Sequence, residues 1–196
     1  MNVGVLAHQG DFREHLLALG DCGVTGNLVK SAAEISQIDA LIIPGGESTT
    51  ISKLAKAFDL FDLISKRIAD GMPTYGSCAG MILVAKSILD PASQQETFGG
   101  IDMQVRRNAF GRQTESFEVD LDFKVISGAP FRGVFIRAPW VESCDKGVEV
   151  LASLEVAGVK HPVAVRQAHV LATSFHPELT GDNRVHRYFL EEVCKK

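Results

Sequence analysis

A short apolar run followed by a helix-patterned segment recurs along the first half of this chain. That alternation limits its possible folds more than any other feature does. Val3 to Ala7 and Asp39 to Ile43 are near-continuous apolar runs, as expected of strands buried on both faces of a parallel sheet. Thr25 to Val29 and Pro73 to Ser77 are candidate strands between them in the same rhythm. From Asp11 to Leu19, Phe12, Leu16 and Leu19 fall at helical spacing, and Gly20 and Gly23 are expected to end the helix. Ser31-Ala32-Ala33-Glu34 has the form of a capping box that opens a short helix. Thr49 to Asp70 reads as one or two helices with Leu54, Phe58, Phe61, Ile64 and Ile68 on an apolar stripe, and Gly71 stops it. This order predicts an α/β fold: a three-layer sandwich with a mostly parallel central sheet flanked by helices.

The middle of the chain changes character. Ile101 to Val105, Ser116 to Leu121, Gly133 to Ile136 and Glu149 to Leu154 are strand-like pieces separated by glycine and proline turns. They are expected to add antiparallel strands at one edge of the main sheet. Val163 to Gln167 and Val170 to Phe175 read as a hairpin, and Arg184 to Val193 as a C-terminal helix. With 196 residues, one domain spanning 1–196 is the expectation.

Composition narrows the partners. Net charge is −4 with no basic block, which argues against nucleic acid. No window approaches the roughly 18 apolar residues of a membrane span. The N-terminal run lacks a positively charged flank and reads as a core strand, not a signal peptide. The four cysteines show neither CxxC pairing nor metal-like spacing, so free thiols in a reducing cytosol are expected.

Three chemistry-bearing segments fall at expected strand ends, where ligands gather in an open α/β sheet. The first is Thr74-Tyr75-Gly76-Ser77-Cys78-Ala79-Gly80. Its Gly-x-Cys-x-Gly core, between a strand and the apolar run Met81 to Ala85, has the layout of a nucleophile elbow. Such a turn is sharp and needs small neighbours. The following helix aims its N-terminus at the sulfur, which favours the thiolate. The second is Pro44-Gly45-Gly46-Glu47-Ser48-Thr49-Thr50, whose glycines let backbone N–H groups face a ligand. The third is Ser174-Phe175-His176-Pro177-Glu178. Two residues apart in extended backbone, His176 and Glu178 would point the same way, and the carboxylate would favour a protonated imidazole. Cys78, His176 and Glu178 then form an acyl-transfer triad. The N–H of Ala79 and a glycine N–H from Gly45-Gly46 would hold the oxyanion.

Each segment has a plainer reading: a buried thiol, an ordinary turn, a strand-end ion pair. Their joint placement in this order favours the chemical one. His8, His15, His161, His169 and His186 share no ligand spacing and are expected at the surface or facing a partner. Cys22, Cys144 and Cys194 lack an elbow and are expected to be inert.

At these residues the sequence resembles the class I, triad-type glutamine amidotransferases, and within them the glutaminase subunits of pyridoxal 5′-phosphate synthase. Further strings carry the likeness: Gly4-Val5-Leu6 with Gln9-Gly10 and Arg13-Glu14-His15; Arg107-Asn108-Ala109-Phe110-Gly111-Arg112-Gln113 with Ser116-Phe117-Glu118; Phe135-Ile136-Arg137-Ala138-Pro139; and Leu179-Thr180 after His-Pro-Glu. The resemblance spans essentially the whole chain. It implies a flavodoxin-like fold and one glutaminase domain. It implies Cys78 as nucleophile, His176 as base and acid, Glu178 as its orienter, and Gly46 and Ala79 as oxyanion donors. It implies L-glutamine contacts at Gly46, Glu47, Ser48, Arg107, Ile136 and Arg137. It also implies ammonia delivery to a synthase subunit inside a large hetero-oligomer, in the cytoplasm, with no metal or organic cofactor. Low activity until that partner binds, from a misoriented oxyanion-hole peptide, is a further implication. Two alternatives remain at this stage: a glutaminase serving another pathway, which the Arg107 string opposes, and a redox sensor built on Cys78, which has no use for the His176–Glu178 dyad.

Overall fold

The apolar runs become the centre of a seven-stranded sheet. The computed structural model describes residues 1–89, 91, 95–110 and 116–195, so the Gly111-Arg112-Gln113 end of the Arg107 string lies outside the described residues. β1 (Val3–Leu6), β2 (Gly26–Val29), β3 (Ala40–Ile43) and β4 (Thr74–Ser77) run parallel, and β12 (Val170–Thr173) joins β4 in the same direction. β10 (Glu149–Val156) and β11 (Val159–Gln167) extend this edge antiparallel, giving the order β10-β11-β12-β4-β3-β1-β2. The parallel centre, the antiparallel edge and the β11–β12 hairpin follow the sequence expectation.

The other middle strands do not join that edge. β5 (Ala85–Ile88), β6 (Ile101–Arg106) and β9 (Trp140–Cys144) form a separate three-stranded sheet, and β7 (Ser116–Leu121) pairs with β8 (Phe131–Ile136). Side-chain alternation gives the reason. In β6, Ile101, Met103 and Val105 are buried while Asp102, Gln104 and Arg106 stay half-exposed. Such a strand has one dry face and cannot sit inside a sheet covered on both sides.

Helices cover both faces of the main sheet. Leu41 and Ile43 point to one side, with Ile51 and Ala55 of α3 (Ser48–Ala57), Ile64 of α4 (Phe61–Ala69) and Met81 of α5 (Ala79–Val84). α2 (Ala32–Gln37) packs Ile35 on the same side, its N-cap Ser31 accepting from the Glu34 N–H as the capping box requires. Ala40 and Ile42 point to the other side, with Leu19 of α1 (Phe12–Asp21) and Val185 of α6 (Arg184–Tyr188). The period-2 pleat divides one strand between two cores. α1 runs through Gly20 and ends one residue later, and α6 continues as a wider π turn, Phe189–Val193. Phe58 leaves the expected stripe: α3 stops at Ala57, and the ring is exposed, stacked on His8 at 4.4 Å.

Candidate active site

Each central strand delivers a functional segment at its carboxyl end: Gln9 to Asp11 after β1, Gly45 to Glu47 after β3, Cys78 after β4 and His176 beyond β12. The chain places β2 on one side of β1 and β3 on the other, and the crevice at such a reversal holds ligands in this class of sheet. Here it is a cavity of about 410 Å³. Nine of the ten residues singled out in the sequence line it: Gly46, Glu47, Ser48, Cys78, Ala79, Arg107, Ile136, Arg137 and His176. The tenth, Glu178, is buried behind His176.

The elbow is tight. Cys78 has φ 48° and ψ −101°, a left-handed conformation that costs a non-glycine residue energy and persists only where its surroundings enforce it. Its N–H is tied to Thr173 O on β12 at 2.8 Å. A Cβ on Gly80 would stand 2.2 Å from Ile43 O, and one on Gly76 would stand 2.5 Å from Gly80. The flanking glycines are therefore required by close approach of the turn to β3 and to itself. Cys78 is only 6% exposed, and its sulfur lies 3.8 Å from Ile136 O.

His176 Nδ1 meets Glu178 Oε1 at 2.8 Å. The contact arises differently from the extended-strand expectation. β12 ends at Thr173, and Pro177–Leu179 form a single 3₁₀ turn that brings the carboxylate back under the ring. Proline at the first position of that turn presets its φ. The His176 backbone N–H is fixed to Val134 O of β8 at 2.9 Å. Burial pulls the imidazole pKa down, but hydrogen bonds to Cys78 and Glu178 and the charge of both outweigh it and push it up to about 11. Burial raises Glu178, and its bond to His176 pulls it back. The arrangement holds a protonated imidazole between the Cys78 sulfur and the Glu178 carboxylate.

The glycine turn packs directly on this ring. A Cβ on Gly45 would lie 2.3 Å from His176 Cε1. The Gly45 carbonyl accepts from the Asp11 N–H at 3.2 Å, so the planar trans peptide points the Gly46 N–H the opposite way. The Glu47 N–H donates to Gln9 Oε1 at 2.8 Å. Ala79 opens α5, where first-turn N–H groups have no intrahelical partner.

The polar wall of the cavity was only partly legible. Glu47 caps α3, its carboxylate accepting from the N–H groups of Thr49 (3.2 Å) and Thr50 (2.7 Å). Burial works against its charge, but those bonds hold its pKa below the ordinary range. Arg107 Nη2 pairs with Glu47 Oε1 at 3.3 Å, so this arginine makes an ion pair and lines the cavity at once. Gln95 joins the wall together: it accepts from Arg107 Nη1 at 2.8 Å and from Thr49 Oγ1 at 3.2 Å, and donates to Ser48 Oγ at 2.8 Å. No periodicity or motif marks Gln95 in the sequence. Gln9 and Asp11 also line the cavity, and the strand-end rule applied to β1 would have found them. Asp11 Oδ2 stands 3.4 Å from His176 Nδ1. Among the described residues, Asp11, His176 and Glu178 are the group whose ligand atoms lie within 4.8 Å of one another, a spacing the imidazole–carboxylate bond already explains.

The outlying histidines and cysteines divide. His15 and His186 are fully buried, contrary to the surface expectation, because α1 and α6 turn them inward against Tyr75. His8, His161 and His169 are half-exposed: His161 stacks on Trp140 at 3.7 Å and His169 bonds Ile68 O. Burial raises the Cys22 thiol and lifts Cys194 to about 12, in keeping with inert residues.

Known proteins share this fold and sequence. The crystal structure of a glutamine amidotransferase superposes with a TM-score of 0.88 at 49% identity, covering 97% of this chain and 98% of that one. A putative GMP synthase subunit from Thermoplasma acidophilum shares the fold at a TM-score of 0.67 and 17% identity, covering 99% of this chain and 94% of that one. The pyridoxal 5′-phosphate synthase subunit PdxT of Streptomyces coelicolor is 59% identical over 191 residues, 97% of this chain and 93% of the relative. Its counterpart in Nocardia farcinica is 57% identical over 192 residues, covering 97% and 85%. The model of the SNO glutamine amidotransferase family matches residues 5–195, and by that span this chain belongs to the SNO glutamine amidotransferase family.

Proposed function

We propose that this chain is the glutaminase subunit of a pyridoxal 5′-phosphate synthase. It hydrolyses L-glutamine to L-glutamate and hands the ammonia to a synthase subunit. The observation that carries the reading is the buried set of Cys78, His176 and Glu178 at a cavity that Arg107 and Glu47 also line. Glutamine keeps a free α-carboxylate and α-ammonium. Arg107 and Arg137 offer guanidinium groups to the first, and Glu47 a carboxylate to the second. Ser48, Gly46 and Ile136 complete the wall. The relatives of 57–59% identity are pyridoxal 5′-phosphate synthase subunits, which supports the identity of the partner.

Cys78 sulfur, as thiolate, attacks the carboxamide carbon, and the C–O π pair moves onto oxygen. The N–H groups of Ala79 and Gly46 bind that oxyanion. As the tetrahedral intermediate collapses, the C–N bond breaks and His176 gives its Nε2 proton to the departing nitrogen, releasing ammonia and leaving a thioester. Neutral His176 then takes a proton from water, whose oxygen attacks the thioester carbon. The second collapse expels the thiolate, frees glutamate and leaves His176 protonated again. Glu178 holds the ring orientation and stabilises its charge throughout. The chain acts as one domain in the cytoplasm, docked on the synthase in a hetero-oligomer so that ammonia is not lost to solvent.

The test is glutamate production from glutamine, with and without the purified synthase subunit. Turnover that rises with the synthase and vanishes in Cys78→Ala is expected. Glutamate release that survives Cys78→Ala refutes the mechanism, and release unchanged by the synthase refutes the coupling.

A further inference from the structure

A buried polar chain continues behind the His176–Glu178 dyad, and the hydrolysis just described makes no use of it. His15, on the inner side of α1, is fully enclosed. Its Nε2 lies 3.0 Å from Ser77 Oγ and 3.5 Å from Glu178 Oε1, and its Nδ1 lies 2.9 Å from His186 Nε2. His186 of α6 is enclosed too. Burial, then repulsion from His186 and His176, holds the His15 pKa well below its usual value, and burial alone takes His186 down to about 4. Both rings are therefore neutral at neutral pH, each with one N–H.

The surroundings decide where the two protons sit. With its proton on Nδ1, His15 would turn a bare Nε2 lone pair toward the Glu178 carboxylate. His186 would then have to carry its own proton on Nδ1, an atom that is buried without a hydrogen-bond partner among the described residues. A buried unpaired N–H is rarer in proteins than an unpaired acceptor, because the donor has lost its only partner. The opposite assignment avoids both faults. His186 Nε2–H donates to His15 Nδ1, His15 Nε2–H faces Ser77 Oγ and Glu178 Oε1, and only a bare lone pair on His186 goes unused.

We propose that His15 is a positioning residue of the active site: as the Nε2–H tautomer set by His186, it braces both Ser77, the last residue before the nucleophile, and the carboxylate that orients His176. This rests on the reading of Glu178 as the triad carboxylate. Glu178 Oε2 has no hydrogen-bond partner among the described residues, so Oε1 alone takes the His176 bond and the approach of His15. The other titratable groups that face this carboxylate are Asp11, which repels it, and Tyr75, a neutral hydroxyl bound to Thr173 Oγ1 whose own pKa burial and the Glu178 charge push up. Without the His15 N–H the carboxylate protonates more readily, and a protonated Glu178 no longer favours imidazolium at His176.

The test uses the glutaminase–synthase complex and measures glutamate release against pH for His15→Leu and His15→Gln. The glutamine amide can place an N–H where imidazole Nε2 stood. His15→Leu is expected to lower kcat about tenfold with KM within about twofold, and to move the acid limb of kcat up by about one pH unit. His15→Gln is expected to recover most of kcat and return the limb. Wild-type kcat and an unmoved limb in His15→Leu overturn the proposal. So does equal loss in both variants with the limb unmoved, which a purely structural role would give. Should the variants fail to fold, nitrogen NMR of the wild-type complex decides. His15 and His186 are expected as neutral Nε2–H tautomers at about pH 7, and an Nδ1–H or charged His15 there overturns the arrangement. A wild-type complex that releases no glutamate refutes the glutaminase reading instead, and the tautomer measurement then still tests His15.

Discussion

Replacing Gly45 by alanine separates the role of the glycine turn as a packing surface from its role as a flexible hinge. Gly45 is not in the left-handed region, so alanine meets no backbone penalty there. The whole effect is steric. The new Cβ would lie 2.3 Å from His176 Cε1 and 2.8 Å from Nδ1. An ordinary carbon contact is about 3.5–4.0 Å, so the ring must retreat by roughly 1.2 Å or more. It cannot do so freely: the side chain is 4% exposed, its backbone is bound to Val134, and Nδ1 is held 2.8 Å from Glu178. A displacement of that size breaks alignment with Glu178 or with Cys78. The expected stability loss is that of a modest overpacking, about 1–3 kcal/mol. The expected kinetic loss is far larger in proportion, about 10²-fold in kcat, because a catalytic base misplaced by an ångström loses the proton-transfer geometry. Urea unfolding measures the first and coupled glutamate release with the synthase present measures the second. A Gly45→Ala protein whose kcat stays within about threefold of wild type would refute the steric argument. It would show that His176 does not need the position seen here.

Gln95→Ala should loosen Arg107 and Ser48 together and raise KM for glutamine about tenfold, the worth of one hydrogen bond to a charged group, with a smaller change in kcat; steady-state kinetics at varied glutamine will decide it. Gly80→Ala places a Cβ 2.2 Å from the Ile43 carbonyl, a backbone atom that cannot swing aside, so the unfolding free energy should fall by about 1–3 kcal/mol and the rate of Cys78 alkylation by iodoacetamide should change with it; unchanged values in both assays contradict the elbow packing. The His176 pKa of about 11 lies above its unfolded value, so the folded state binds the proton more tightly. That contribution is whole below about pH 6.5 and is lost as pH rises toward about 11. Denaturant midpoints should therefore fall across this alkaline window, and fall less steeply in His176→Gln; parallel curves would show that His176 is not the group responsible.

Local patterns carried much of this protein's outline. Continuous apolar runs can be buried on both faces only inside a parallel sheet, so β1 and β3 were legible from Val3 to Ala7 and Asp39 to Ile43. The elbow was legible because a sharp strand-to-helix turn tolerates only small flanking residues. The three site segments were legible because each ends a strand, and strand ends converge in this class of sheet. What the sequence could not encode locally was decided by contacts between distant segments. β6 reads as a strand, but its one-sided alternation does not say which sheet it joins. The His176–Glu178 contact depended on a 3₁₀ turn where the sequence alone suggested extended chain. Gln95, remote from every motif, braces Arg107 and Ser48 of the cavity wall only because α3 and the segment after β6 close around it. His15 and His186 lie 171 residues apart and look like surface residues until α1 and α6 pack on the same face of the sheet. Periodicity reports which way a side chain points within its own element. Which partner it meets, and hence its charge and tautomer, is fixed only when the elements pack.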